Sequence, residues 1–379
     1  MAGARRVLWS GGIALCLLAV GCSGGGGGSS VRAEVQAALD RRAAVVLGRE
    51  GNTYDVPLAQ WSYRLTSVDA VGDRATADAR LSYRVQGYDS VPVTASRIVK
   101  LDRDEGGVWS VVSEGPGDGA GEQLWDQGKV EAVRGERSLV LGVGEPAERL
   151  RSFADLADRA VPAVSAAWGT GWARKVVVVV PASLQAMAGL LGSPADSYRG
   201  IAAVTTGETG GRAPADRIVV NPEAYGMLGE VGRQVVLTHE TTHVATRAHT
   251  NAATPLWLSE GYADWVGYRD TDRTPRQAAP ELQSAVDEGR LPAALPTDAD
   301  FGFGTDATRL AQAYEGGWLA CRMIAGRWGE ERLNAFYRAV GAHGKRAGAV
   351  EGALGSVLGV SLPEFTEDWR TYVKEQLAS

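Results

Sequence analysis

Histidine and cysteine are among the scarce residues of this 379-residue chain, with four of the first and three of the second. Three cysteines cannot build a disulfide framework, and Cys16 and Cys22 both fall in the first 22 residues, so packing must hold the fold. Cys321 stands alone in a helical stretch and is expected to act as a small buried apolar side chain. Basic blocks are missing as well, and the formal net charge is −6, which argues against a nucleic-acid partner. The apolar run Val7–Val20 is shorter than the roughly 20 residues of a membrane-spanning helix. What is there is ordinary for a globular protein: 45% hydrophobic and 22% charged residues, in a chain long enough for two folded units.

The amino-terminal residues read as an address. Arg5 and Arg6 precede the apolar run and small residues follow it, as in a secretory signal over residues 1–22. Leu18-Ala19-Val20-Gly21-Cys22 resembles the bacterial lipobox, with Ala19 where leucine is usual. That resemblance implies lipidation of Cys22 and attachment to the extracytoplasmic face of the cell membrane. An ordinary cleaved signal is the alternative. Residues 23–30 form a Gly/Ser tract, a flexible tether.

From Val31 to about Glu50, Val31, Val35, Leu39, Ala43 and Val46 recur at helical spacing. The period then falls to two in Trp61–Leu65, Ala77–Val85, Val91–Val99 and Val108–Val112, with turns at Gly72-Asp73, Gly87 and Gly106-Gly107. One helix followed by a strand meander predicts a small α+β unit over 31–115, a helix on a curved antiparallel sheet. The pattern resembles the cystatin-like or nuclear-transport-factor-like cone and brings no catalytic set with it. Residues 116–135 are expected to form a linker, and a second unit to fill 136–379. There a helix is expected from Ala147 to Trp168, and strands at Lys175–Val180, Ile201–Thr206 and Arg217–Asn221. Mainly helices follow Pro222. The fold class is α+β.

Two of the four histidines sit in His239-Glu240-Thr241-Thr242-His243. Four helical residues turn about 400°, so both imidazoles project from one face within about 40° of each other and can meet one Zn²⁺. Glu240 lies beside them, placed for the water a catalytic zinc activates rather than for the metal. A catalytic zinc takes three protein ligands and leaves one position open. His249 competes for the third place, but Thr246 stands where a chain-bending glycine would be needed to bring it back. Glu260 fits better. Thr254–Asp264 reads as a second helix with Thr254 as N-cap and Pro255 in its first turn, able to fold back and offer Glu260. Asp264, one turn on, can hydrogen-bond a ligating histidine.

His239–His243, Trp257-Leu258-Ser259-Glu260-Gly261 and the Glu260/Asp264 helix resemble the gluzincins, the clan of thermolysin and the zinc aminopeptidases. The resemblance is closest to the peptidase-MA-like branch found in bacterial lipoproteins. It spans about 136–379 and is specific at 239–264. It implies a thermolysin-like domain, strands first and helices after, with zinc on His239, His243 and Glu260. It also implies Glu240 as general base, and a peptide or protein substrate held along a strand, for which Arg217–Asn221 is the candidate. Ala313-Tyr314-Glu315-Gly316-Gly317-Trp318 resembles the Y-E-x-G helix of the zinc aminopeptidases and implies Tyr314 as donor to the oxyanion. The segment that captures a free amino terminus in those enzymes is absent before the zinc helix, which counts against aminopeptidase action and leaves endopeptidase action more open. The alternative is a non-catalytic surface lipoprotein using the fold as a binding module, for which an intact general base has no evident use. Oligomeric state and the role of residues 31–115 stay open.

Overall fold

A computed structural model describes residues 26–48, 55–206, 215–302 and 306–378. The signal segment and Cys22 lie outside the described residues. Helix α1 (Gly26–Gly48) already includes the last residues of the Gly/Ser tract. It packs on an antiparallel meander of β1 (Leu58–Val71), β2 (Arg74–Val85), β3 (Val93–Arg103) and β4 (Trp109–Pro116). Val35, Leu39 and Val46 of α1 are fully buried against the sheet. Strand β2 alternates as a half-buried strand must, with Ala75 through Val85 facing in at every second position. Gly72, at φ +61°, takes the first position of the two-residue β1–β2 turn, where a positive φ is required.

The second sheet runs β5-β6-β7-β9-β8, formed by β5 (Val130–Arg134), β6 (Ser138–Val143), β7 (Val176–Val180), β8 (Ala203–Thr205) and β9 (Ile218–Val220). The pairs β6–β7 and β7–β9 are parallel, and the two outer pairs are antiparallel. Helix α2 (Ala147–Trp168) crosses between β6 and β7, over the residues the sequence predicts. The unbroken valines of β7 are buried on both sides. Val176, Val178 and Val180 share a core with Phe153 and Leu237, whereas Val177 and Val179 share one with Trp61 and Tyr83 of the first unit. A strand buried on two faces has no reason to alternate, and each valine contributes about 1.5–3 kcal/mol.

The first unit is therefore a layer laid on the second sheet, and residues 116–135 do not behave as the expected linker. Leu124 is buried, and Asp126 takes both guanidinium Nη atoms of the fully buried Arg97 at 2.5 and 2.6 Å. Tyr83 donates to Gln123, and β5 belongs to the second sheet. The correction has a plain cause: Gly and Pro mark turns, and a turn can be packed as firmly as a strand.

Past α3 (Leu184–Leu191) and α4 (Pro222–Gly226) the chain is helical: α5 (Glu230–Thr246), α6 (Leu256–Tyr268), α7 (Pro275–Ala278), α8 (Pro280–Asp287), α9 (Ala307–Trp328), α10 (Glu330–Gly341), α11 (Ala349–Ala353) and α12 (Leu362–Leu377). Trp257, Tyr262, Phe336, Phe365 and Trp369 centre this third core, and Cys321 is fully buried within it. Among the described residues no helix is long and apolar enough to cross a membrane.

Candidate metal centre

Helix α5 presents His239 and His243 one turn apart, ring centroids 4.7 Å from each other, with their Nε2 atoms separated by 2.9 Å. From α6, Glu260 brings Oε2 to 3.3 Å of His239 Nε2 and 3.4 Å of His243 Nε2. Among the described residues these three form a set whose ligand atoms converge on one point. A tetrahedral ion with bonds of about 2.0–2.1 Å holds its donors about 3.3–3.4 Å apart. Both histidine–glutamate separations match that edge, and the histidine pair is slightly short of it. The donor set, two imidazole nitrogens and a carboxylate oxygen, is one that suits zinc. The residues fit the ion.

The approach of α6 has two causes. Gly261, next to Glu260, lies against Gly317 of α9 so closely that a Cβ there would overlap the Gly317 carbonyl. A Cβ on Gly317 would meet the Trp257 carbonyl oxygen at 2.6 Å. The start of α6 is held from afar: Asp298 Oδ1 accepts the Leu256 amide at 2.9 Å, and Pro255 is the N-cap residue. Thr254, expected to cap α6, does not; its hydroxyl oxygen accepts from the Asn251 amide instead. Pro255 sits between Thr254 and the first turn, and the helix starts one residue late.

Asp264, one turn beyond Glu260, places Oδ1 at 2.8 Å from His239 Nδ1. Nδ1–H donating to this carboxylate leaves the Nε2 lone pair directed at the convergence point. Tyr314 enters from α9, half-buried, its ring centroid 6.5 Å from that of His239 and 5.1 Å from Phe301. His249 is elsewhere. Its ring meets Trp168 edge-on at 5.5 Å, and it has no part in the converging set.

Glu240 is buried, and its carboxylate points to β8: Thr205 Oγ1 donates to Glu240 Oε2 at 2.7 Å and lies 3.1 Å from the Glu240 carbonyl oxygen. Nothing in the sequence around Thr205 singles it out, because its partner is 35 residues away and the contact exists only after the sheet meets α5.

Three carboxylates, Glu240, Glu260 and Asp264, crowd two imidazoles in a poorly solvated place. Burial alone would depress the His239 imidazole, but Asp264, Glu260 and Glu240 overcome it and raise its pKa well above the ordinary histidine value. Burial works to raise the Glu260 carboxyl, and the two histidines hold it far below the usual carboxylate range. At Glu240 burial prevails over the neighbouring imidazole and the Thr205 hydroxyl, and the carboxyl is raised. Such a cluster favours positive charge, whether as a proton on His239 or as a cation.

One expectation is corrected at the sheet. Ile218–Val220, within the Arg217–Asn221 candidate for a free edge, is β9, and it is paired on both sides, with β7 and β8. On that side the outermost strand among the described residues is β8, ending at Thr205 beside α5. Sequence periodicity gives strands but not their lateral order. An open cavity of about 620 Å³ lies between α2 and the start of α5, lined by Arg149, Arg159, Tyr225 and Arg233, and includes none of these site residues.

No family model and no curated protein matches the chain. Solved structures similar to it include a two-domain M1 zinc metallopeptidase bound to L-arginine, 15% identical over 85% of this chain and 63% of that one, TM-score 0.38. An M1 zinc metallopeptidase from Deinococcus radiodurans is 14% identical over 84% and 62%, TM-score 0.35. Native yeast LTA4 hydrolase is 11% identical over 82% and 58%, TM-score 0.37. The chain spans less than two thirds of the length of each. Likeness of this degree carries no argument about chemistry.

Proposed function

We propose that this chain is a zinc-dependent hydrolase of peptides or proteins, held by a lipid on Cys22 at the extracytoplasmic face of the cell membrane. One observation supports the catalytic half. Two imidazoles and a carboxylate converge, the carboxylate at tetrahedral spacing from each ring, while Glu240, adjacent in sequence, turns to Thr205 instead. When bound by His239, His243 and Glu260, zinc supplies Lewis acidity and makes water a nucleophile near neutral pH.

The chain's own groups do the rest. Glu240 accepts a proton from the attacking water and passes it to the leaving amine. Burial, which raises its carboxyl, suits it to hold that proton between the two steps. Asp264 fixes the His239 tautomer and ring angle. Tyr314 donates to the developing oxyanion, a role worth about 3–4 kcal/mol for one donor. The β8 edge offers main-chain groups to an extended substrate. The address rests on the lipobox-like residues that end at Cys22.

Glu240→Gln tests the reading. It should retain one zinc per chain and lose cleavage of a peptide library, and turnover at the wild-type rate would overturn it. A wild-type protein that holds zinc but cleaves nothing would favour a binding module instead. For the anchor, Cys22→Ser should move the protein from the membrane to the soluble fraction.

A further inference from the structure

A line of buried polar contacts runs from the first unit to Glu240. Asp89, in the turn four residues past the end of β2, is buried and accepts the Val85 amide at 2.7 Å. Both its oxygens take the guanidinium of Arg217, each at 2.8 Å, across 128 residues of sequence. The Asp89 side chain is 1% exposed and that of Arg217 13%, so this largely buried bidentate pair fixes the backbone that carries it. That backbone holds the last turn of the β8–β9 pairing: the Arg217 amide donates to Thr206 Oγ1 at 2.9 Å, and the Thr206 amide donates to the Arg217 carbonyl at 2.8 Å. From the other side Arg247, just past α5, donates to the Thr206 carbonyl and pairs with Asp216. Thr205 stands next to Thr206, and its hydroxyl is the donor on Glu240.

We infer that the first unit is a positioning element of the catalytic site: Asp89, through Arg217, sets the end of β8, and Thr205 there aims the Glu240 carboxylate. The inference rests on the reading of Glu240 as proton acceptor. Arg217 and Thr205 are positioning residues, since neither reaches the converging ligand atoms. A spacer domain would have no need of a buried ion pair with the edge of the site. A buried pair costs desolvation of both ions, and its return here is geometric definition.

Two measurements test it. In the metal-free protein, Asp89→Asn should speed hydrogen exchange at the Thr206 and Asn221 amides, which close the two ends of the β8–β9 pairing, by about tenfold or more. Amides of the β5–β6 pair should keep their wild-type rates, as should all amides in the exposed control Asp102→Asn. In the zinc-loaded protein, Thr205→Val should lower kcat by about 10²-fold with KM and zinc content unchanged. Thr205→Ser should restore kcat to near wild type. Unchanged Thr206 exchange in Asp89→Asn, or wild-type kcat in Thr205→Val, overturns the inference. Should Asp89→Asn not fold, the threonine pair decides alone. Should the wild type cleave nothing, the functional reading fails, and the exchange arm still decides whether Asp89 fixes the strand.

Discussion

Gly261 and Gly317 touch backbone to backbone where α6 crosses α9, and that contact sets the depth at which Glu260 enters the candidate metal centre. Glu260 precedes the first glycine by one residue, and Tyr314 precedes the second by three. A single crossing thus brings a carboxylate to both imidazoles and a phenol ring to 6.5 Å of the His239 ring. The glycines of the Ser-Glu-Gly and Glu-Gly-Gly runs stand inside helices, at the usual loss of helix propensity, and allow this close crossing.

Adding one methyl at either position should force the helices apart. Gly261→Ala and Gly317→Ala should each destabilise the fold by about 1–3 kcal/mol and weaken zinc binding. Gly326→Ala, further along α9 with nothing within 4 Å of the new Cβ, should instead stabilise by about 0.5–1 kcal/mol. Denaturant midpoints of the three variants check the opposite signs. Equal effects would deny the crossing its role.

Asp264 touches His239 and not the convergence point, so its removal should loosen the metal without unfolding the protein. Asp264→Ala should cost about 10- to 100-fold in zinc affinity, measured by competition with a chelator, and leave the thermal midpoint of the metal-free form near that of wild type. Asp264→Asn, which keeps an acceptor for Nδ1–H, should fall between.

Glu315 gives a stability that depends on pH. Burial pushes its carboxyl up to about 9, aided by the nearby Glu281 carboxylate and opposed by the Leu282 and Glu281 amides it caps at the start of α8. The folded value exceeds the unfolded one, so the fold binds this proton more tightly. The contribution is fully present below about pH 4.5 and is lost progressively as pH rises toward about 9. Relative to Glu315→Gln, the wild type should lose urea stability across that window. A constant difference between pH 5 and pH 9 would show that the group is ionised in the fold throughout.

Residues 116–379 expressed alone should not give a folded protein. Without the first unit, Leu139, Leu141, Val177, Val179 and Val219 lose the core they share with Trp61, Tyr83 and Leu81, leaving a sheet face bare. The cut chain should aggregate or bind a hydrophobic dye. A cooperative unfolding transition close to that of the full chain would show the two layers to be independent.

Much of this was written locally. The spacing of His239 and His243 fixes one helix face, Glu260 and Asp264 another, and the periods of β2 and α2 mark their buried sides; each depends on residues a few positions apart. The lateral order of strands was not. Among the described residues the outermost position fell to β8 and not to the expected β9, because pairing partners are chosen by the whole sheet. The supposed linker became packed structure once Arg97 needed Asp126.

The sequence by itself determined which side chains could share a metal, since helix geometry ties identity and spacing to direction. Only the tertiary structure decided what holds them there: Thr205 on Glu240, Asp298 at the start of α6, Gly317 beneath Gly261, Asp89 behind Arg217. Those partners lie 35 to 128 residues away along the chain. No local pattern announces such a contact, because its energy appears only when burial removes the water that would otherwise satisfy both groups.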